Sequence, residues 1–174
     1  MNTASTSSSI LHGAIAALVA GSAFTVADAD AATSRTHYYS AVAVCAGPIP
    51  SSDGNLRRNP LGIRNDGDVN VWISCSVPGD FVGDQVAGLL QPYFHHFGTG
   101  NATINCTLVA GNRFNGYALV TGATNIAGGG DAYVSWDPVD KISAYGSYNF
   151  QCILPPDVEL GLIYFQQEDA GGGL

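Results

Sequence analysis

Few side chains in this chain have the type and spacing to do chemistry. Its four histidines are His12, His37, His95 and His96. The last two are adjacent, so in an extended segment they point to opposite faces and only one could join His37 at a metal. They read more simply as a solvated pair in a loop between Phe94 and Phe97. Ser-His-Asp catalysis needs a serine on a sharp turn beside its base, and no G-x-S-x-G elbow occurs. Carboxylates pair in sequence as Asp66 with Asp68, Asp137 with Asp140, and Asp157 with Glu159. Such pairs do general acid and base work in glycosidases when they face each other across a cleft. All three lie in turn-like text, where an Asp usually bonds to its own backbone. Asn65, Asp66 and Asp68 offer hard oxygens to calcium, but too few, and no EF-hand or glycine-aspartate repeat accompanies them. The expectation is therefore a protein with no metal, no cofactor and no catalytic residue. A small secreted hydrolase of glycosidase type, using one carboxylate pair, is the alternative.

Binding chemistry is better represented. In Val69 to Val77 the residues Val69, Val71, Ile73, Cys75 and Val77 alternate with Asn70, Trp72, Ser74 and Ser76. Trp72 thus falls on the polar side of a strand, where a large flat ring faces water. An exposed Trp on a sheet stacks on the apolar face of a pyranose while neighbouring amides and hydroxyls bond the sugar oxygens. Tyr133 stands with Asp131, Ser135 and Asp137 on the polar side of its own segment and would enlarge such a surface. The competing reading is a loop or second layer covering both rings.

These rings need a scaffold, and the text is that of short strands. Thr36–Gly47, Val69–Val77, Ala102–Gly111, Tyr117–Thr121, Ala132–Asp137, Ser147–Leu154 and Val158–Gln166 carry β-branched and aromatic residues, most with period-two alternation. Pro48 to Pro60, with its Arg57-Arg58 pair, reads as a solvated loop, and Asn65 to Asp68 as a turn. Phe81 to Phe97 comes closest to a helical period, but Gly83, Gly88 and Pro92 interrupt it. The expectation is an all-β, antiparallel, jelly-roll-like β-sandwich of about eight or nine short strands, a small barrel being second.

Residues Ile10 to Ala27 form an apolar run followed by two overlapping A-x-A sites, Ala27 to Ala29 and Ala29 to Ala31. This pattern predicts a signal peptide over residues 1–31, although no Lys or Arg precedes the run, and a single sandwich domain over 32–174 in a secreted or periplasmic protein. The run's Ser, Thr, His and Gly content makes it a poor membrane anchor, so no membrane insertion is expected after cleavage. Cys45, Cys75, Cys106 and Cys152 all fall in the mature part, an even count that predicts two disulfides in an exported chain. Spacing alone leaves three connectivities open. Proximity favours Cys45 with Cys75, and strand pairing lets Cys106 meet Cys152. Cys75, Cys106 and Cys152 lie on the apolar side of their strands, so the bridges are expected to staple the layer between the sheets.

The whole chain carries 6 Lys plus Arg against 14 Asp plus Glu, a formal charge of -8, and losing Asp28 and Asp30 with the leader still leaves it acidic. No field exists to attract a nucleic-acid backbone or an anionic membrane. Asn101-Ala102-Thr103 and Asn105-Cys106-Thr107 satisfy the glycosylation sequon, whose use depends on the source cell.

The stretch from Ser147 to Asp169, with aromatic-x-aromatic-x-Cys-x-Leu-Pro-Pro and a final strand ending in an acid, resembles the closing segment of a loose group of small exported bacterial proteins. Cys45 to Pro50 and Val71 to Gly79 fit the same layout of four cysteines. The resemblance implies a β-sandwich with two disulfides and neither an assigned reaction nor an agreed ligand. The sequence thus points to a secreted, non-enzymatic binding or structural protein whose partner is a glycan or cell-surface component.

Overall fold

A computed structural model describes residues 34–48, 54–78, 85–112, 116–137 and 148–169. The expected leader over residues 1–31 lies outside them. Among the described residues eleven strands run in chain order: β1 (Ser34–Ser40), β2 (Cys45–Ala46), β3 (Leu56–Asn59), β4 (Gly62–Asn65), β5 (Val71–Val77), β6 (Gln85–His96), β7 (Asn101–Asn112), β8 (Gly116–Ala127), β9 (Asp131–Tyr133), β10 (Tyr148–Leu154) and β11 (Val158–Asp169). They form two antiparallel sheets packed as a sandwich. One sheet has the order β3-β4-β11-β6-β9, with β1 also paired to β11; the other has the order β2-β5-β10-β7-β8.

Alternation assigns the inner faces. From the first sheet Ile63, Leu90, Phe94, Leu160, Ile163 and Phe165 meet Ile73, Val77, Ile104, Leu108, Phe150 and Leu154 from the second, all buried in one core. Burying side chains of this size is worth roughly 1.5 to 3 kcal/mol each, the main favourable term for a domain of this kind.

The strand count exceeds the expected eight or nine, and three local expectations need correction. The segment Thr36 to Gly47 is two strands, broken by one helical turn, α1 (Ala41–Val44), which carries the chain from the first sheet to the second. Arg58 holds that turn by donating to the carbonyls of Val42 and Cys45 at 3.2 and 3.0 Å. The supposed loop before Pro60 therefore ends in a strand: β3 and β4 form a hairpin whose turn is closed by Asn59 Oδ1, which accepts from the backbone N–H of Leu61 and of Gly62. The pair His95-His96, expected in a solvated loop, instead ends β6, which begins at Gln85, and His96 is buried.

The bridges are Cys45–Cys75 and Cys106–Cys152, as expected. Their placement differs from the expectation. Cys45 stands directly opposite Cys75, and Cys106 opposite Cys152, on neighbouring strands of the five-stranded sheet, with Cα separations of 4.0 and 4.1 Å. Such directly opposed pairs bring Cβ atoms close enough to bridge. Each disulfide thus ties strand to strand within one sheet. Inward parity is satisfied all the same, because the four cysteines are buried.

Candidate functional site

Trp72 lies on the outward face of β5, with 47% of its surface exposed. Its cross-strand neighbour is Ile153 of β10, and the row continues through Asn105 of β7 to Ala123 of β8. The next row runs Ser74, Gln151, Thr107, Thr121, and the one beyond it Ser76, Asn149, Val109, Leu119. On the other side of the Trp72 row, Thr103 Oγ1 donates to Asn125 Oδ1 at 2.8 Å. Among the described residues of this sheet, no outward position carries Asp, Glu, Lys, Arg or His. The result is an uncharged pleated surface in which amides and hydroxyls mix with the apolar Ile153, Ala123, Val109 and Leu119 about an exposed indole ring. Strands lie about 4.8 Å apart, so Trp72 and Asn105 stand roughly 10 Å from each other, the span of a short saccharide.

Tyr133 does not enlarge this surface. It lies on β9 at the edge of the six-stranded sheet and packs against Tyr93 of β6, ring centroids 5.3 Å apart. The expectation of one surface carrying both rings fails because parity places a ring inside or outside its own sheet and does not say which sheet that is.

The six-stranded sheet instead carries the ionisable groups. Register aligns Arg57, Arg64, Glu159, His95 and Asp131 across β3, β4, β11, β6 and β9. Asp66, in the turn after β4, pairs with Arg57 at 3.1 Å and with Arg64 at 2.9 Å, while Arg64 also binds Asp157 and covers the ring of Phe97, 4.4 Å from its centroid. Glu159 is shielded and accepts from Asn59 Nδ2 at 2.7 Å. His95 Nδ1 lies 2.8 Å from Asp131 Oδ1. Of the paired carboxylates, Asp157 and Glu159 have different partners, an arginine and an amide, and Asp66 is held by Arg57 and Arg64. Asp140 lies outside the described residues.

Asn65, weighed in the sequence as one of too few oxygen ligands for calcium, is buried with its amide donating to the carbonyls of Val69 and Leu154, and its Oδ1 accepts from Gly67 N–H. Its side chain braces the turn. Among the described residues, no three His, Cys, Asp or Glu side chains gather as a metal-ligand set.

Two depressions flank Tyr93. A bulge in β11 sets both Gly161 and Leu162 opposite Tyr93, because the register steps from Leu160 facing Phe94 to Ile163 facing Pro92. That bulge opens a hollow of about 330 Å³ lined by Tyr93, His95, Asp131, Glu159 and Leu162. A larger one, about 620 Å³, lies where β9 meets β8 and is lined by Tyr93, Tyr133, Asp131, Thr124 and Asn125. Sequence reasoning missed Tyr93 because Pro92 and Gly88 break up the text of β6. The alternation of Gln91, Tyr93 and His95 against Leu90, Pro92, Phe94 and His96 was the available signal.

No protein-family model and no curated protein matches the chain. Among solved structures it is similar to a family two carbohydrate esterase from Cellvibrio japonicus, with TM-score 0.40 and 13% identity over 82% of this chain and 37% of that one. It spans, therefore, little more than a third of the esterase. It is also similar to TmCBM61, solved in complex with β-1,4-galactotriose, with TM-score 0.32 and 9% identity over 75% of this chain and 83% of that one.

Proposed function

We propose that this protein is an exported, non-enzymatic glycan-binding β-sandwich whose binding surface is the outer face of the five-stranded sheet around Trp72. The observation that carries this reading is the exposed indole ring on an uncharged face where Asn, Gln, Ser and Thr alternate with apolar side chains such as Ile153 and Leu119. A neutral polysaccharide offers the complement: apolar ring faces for stacking and hydroxyls for the amides. A charged ligand finds no counter-charge among the described residues of that face. Two disulfides suit an oxidising compartment, and no helix among the described residues is long and apolar enough to cross a membrane.

The test is retention of the mature domain on insoluble cellulose, chitin, xylan and β-1,3-glucan, with Trp72→Ala alongside. Retention on at least one of them that Trp72→Ala removes supports the reading; a wild-type domain that none of them retains refutes it.

A further inference from the structure

The geometry points to a second saccharide site, independent of Trp72, in the 620 Å³ hollow where β8 and β9 meet at the rim of the sandwich. Pockets for ligands of modest size run to about 300 to 1,000 Å³. The outer face of the five-stranded sheet extends across several strands and suits a polymer lying on it. The rim hollow is concave and suits a short soluble chain or a chain end.

Its lining divides as sugar recognition requires. Tyr93 and Tyr133 form the aromatic wall, tilted by 40° to one another, and Tyr133 is half exposed. Tyr93 is held in place: its hydroxyl donates to Gln91 Oε1 at 3.1 Å, and Gln91 Nε2 donates to Ser135 Oγ at 3.1 Å. Facing this wall are Asp131, Thr124 and Asn125. The Asp131 side chain is 82% exposed and is oriented by His95 Nδ1, so its carboxylate offers acceptors to sugar hydroxyls. Asn125, whose row continues the Trp72 face at the strand β8, also lines this hollow; its Oδ1 accepts from Thr103, which leaves its amide N–H groups as donors. Acceptors from Asp131 and donors from Asn125, set beside a ring face, match the vicinal hydroxyls and the apolar face of a neutral pyranose. No Lys or Arg lines the hollow, so an anionic sugar is disfavoured.

The experiment is calorimetric titration of β-1,4-linked trisaccharides of glucose, xylose, galactose and N-acetylglucosamine into the mature domain, into Trp72→Ala, and into Tyr133→Ala and Asp131→Asn in the Trp72→Ala background. At least one trisaccharide should bind Trp72→Ala as it binds the wild type, and both added substitutions should weaken that binding tenfold or more. A trisaccharide affinity lost with Trp72→Ala, or left within twofold by Tyr133→Ala and Asp131→Asn, overturns the second site, as does absence of binding by all four. Retention on insoluble polysaccharide depends on Trp72 alone, so either site can fail without the other.

Discussion

Trp72 and Tyr133 stand on the outward faces of different sheets, Trp72 on β5 and Tyr133 on β9, each exposed over about half its surface (47% and 50%). Their separation makes the two faces of the sandwich chemically distinct: one uncharged around an indole, the other built on tyrosines and a row of ionisable groups. Each face can therefore be tested with its own substitutions.

The two tryptophans differ sharply, Trp72 being exposed and Trp136 buried at 3%. Acrylamide should quench a red-shifted component of the fluorescence and leave a blue-shifted one. Trp72→Phe should remove the quenchable component alone. Uniform quenching of both would contradict the placement of Trp72.

Reduction should expose the contribution of the strand-to-strand bridges, which close loops of 30 and 46 residues in sequence separation. Chain entropy assigns each about 3 to 4 kcal/mol, a large part of a stability near ten. Peptide mapping without reductant should recover Cys45 with Cys75 and Cys106 with Cys152. Cys106→Ser with Cys152→Ser should lower the melting temperature by well over 5 °C, as calorimetry would show.

Much of this was legible in the sequence. The alternation around Trp72 reports the exposed ring because β5 is regular and each of its residues obeys parity. The cysteine pairing was readable too, but its location within one sheet was not: parity says that a sulfur points inward, not which strand lies next to it. The β3–β4 hairpin was hidden by its brevity and by Pro60, since Asn59 closes its turn through a side-chain contact that no periodicity reveals. β6 was obscured by Pro92, whose missing N–H the fold accommodates opposite the bulge in β11.

Burial raises the Tyr148 phenol above its ordinary value of 10.0. The unfolded chain then loses that proton first, so its contribution to stability is complete below about pH 10 and is lost as pH rises through the raised value. Denaturant midpoints taken between pH 8 and 11 should fall at the alkaline end. Tyr148→Phe, which keeps the ring against Phe165, should flatten that fall.

Arg64 binds Asp66 and Asp157 and covers Phe97, tying the turn after β4 to the start of β11. With the side chains only partly exposed, Arg64→Ala should cost about 1 to 2 kcal/mol, after discounting for solvent screening. Gly62→Ala should disturb the same junction, because a Cβ there would meet the Leu160 carbonyl oxygen at 2.5 Å. Urea unfolding of both variants measures the two effects, and unchanged midpoints would show that this corner is not a structural brace.

The central claim, that the Trp72 face binds glycan, is tested most directly by pairing two measurements on Trp72→Ala: its binding isotherm on the insoluble polysaccharide that retains the wild type, and its thermal melt. A half-exposed ring that stacks on sugar predicts binding weakened at least tenfold and a stability within about 1 kcal/mol of the wild type. Unchanged binding, or a stability loss of about 3 to 5 kcal/mol as for a packed core ring, would contradict it.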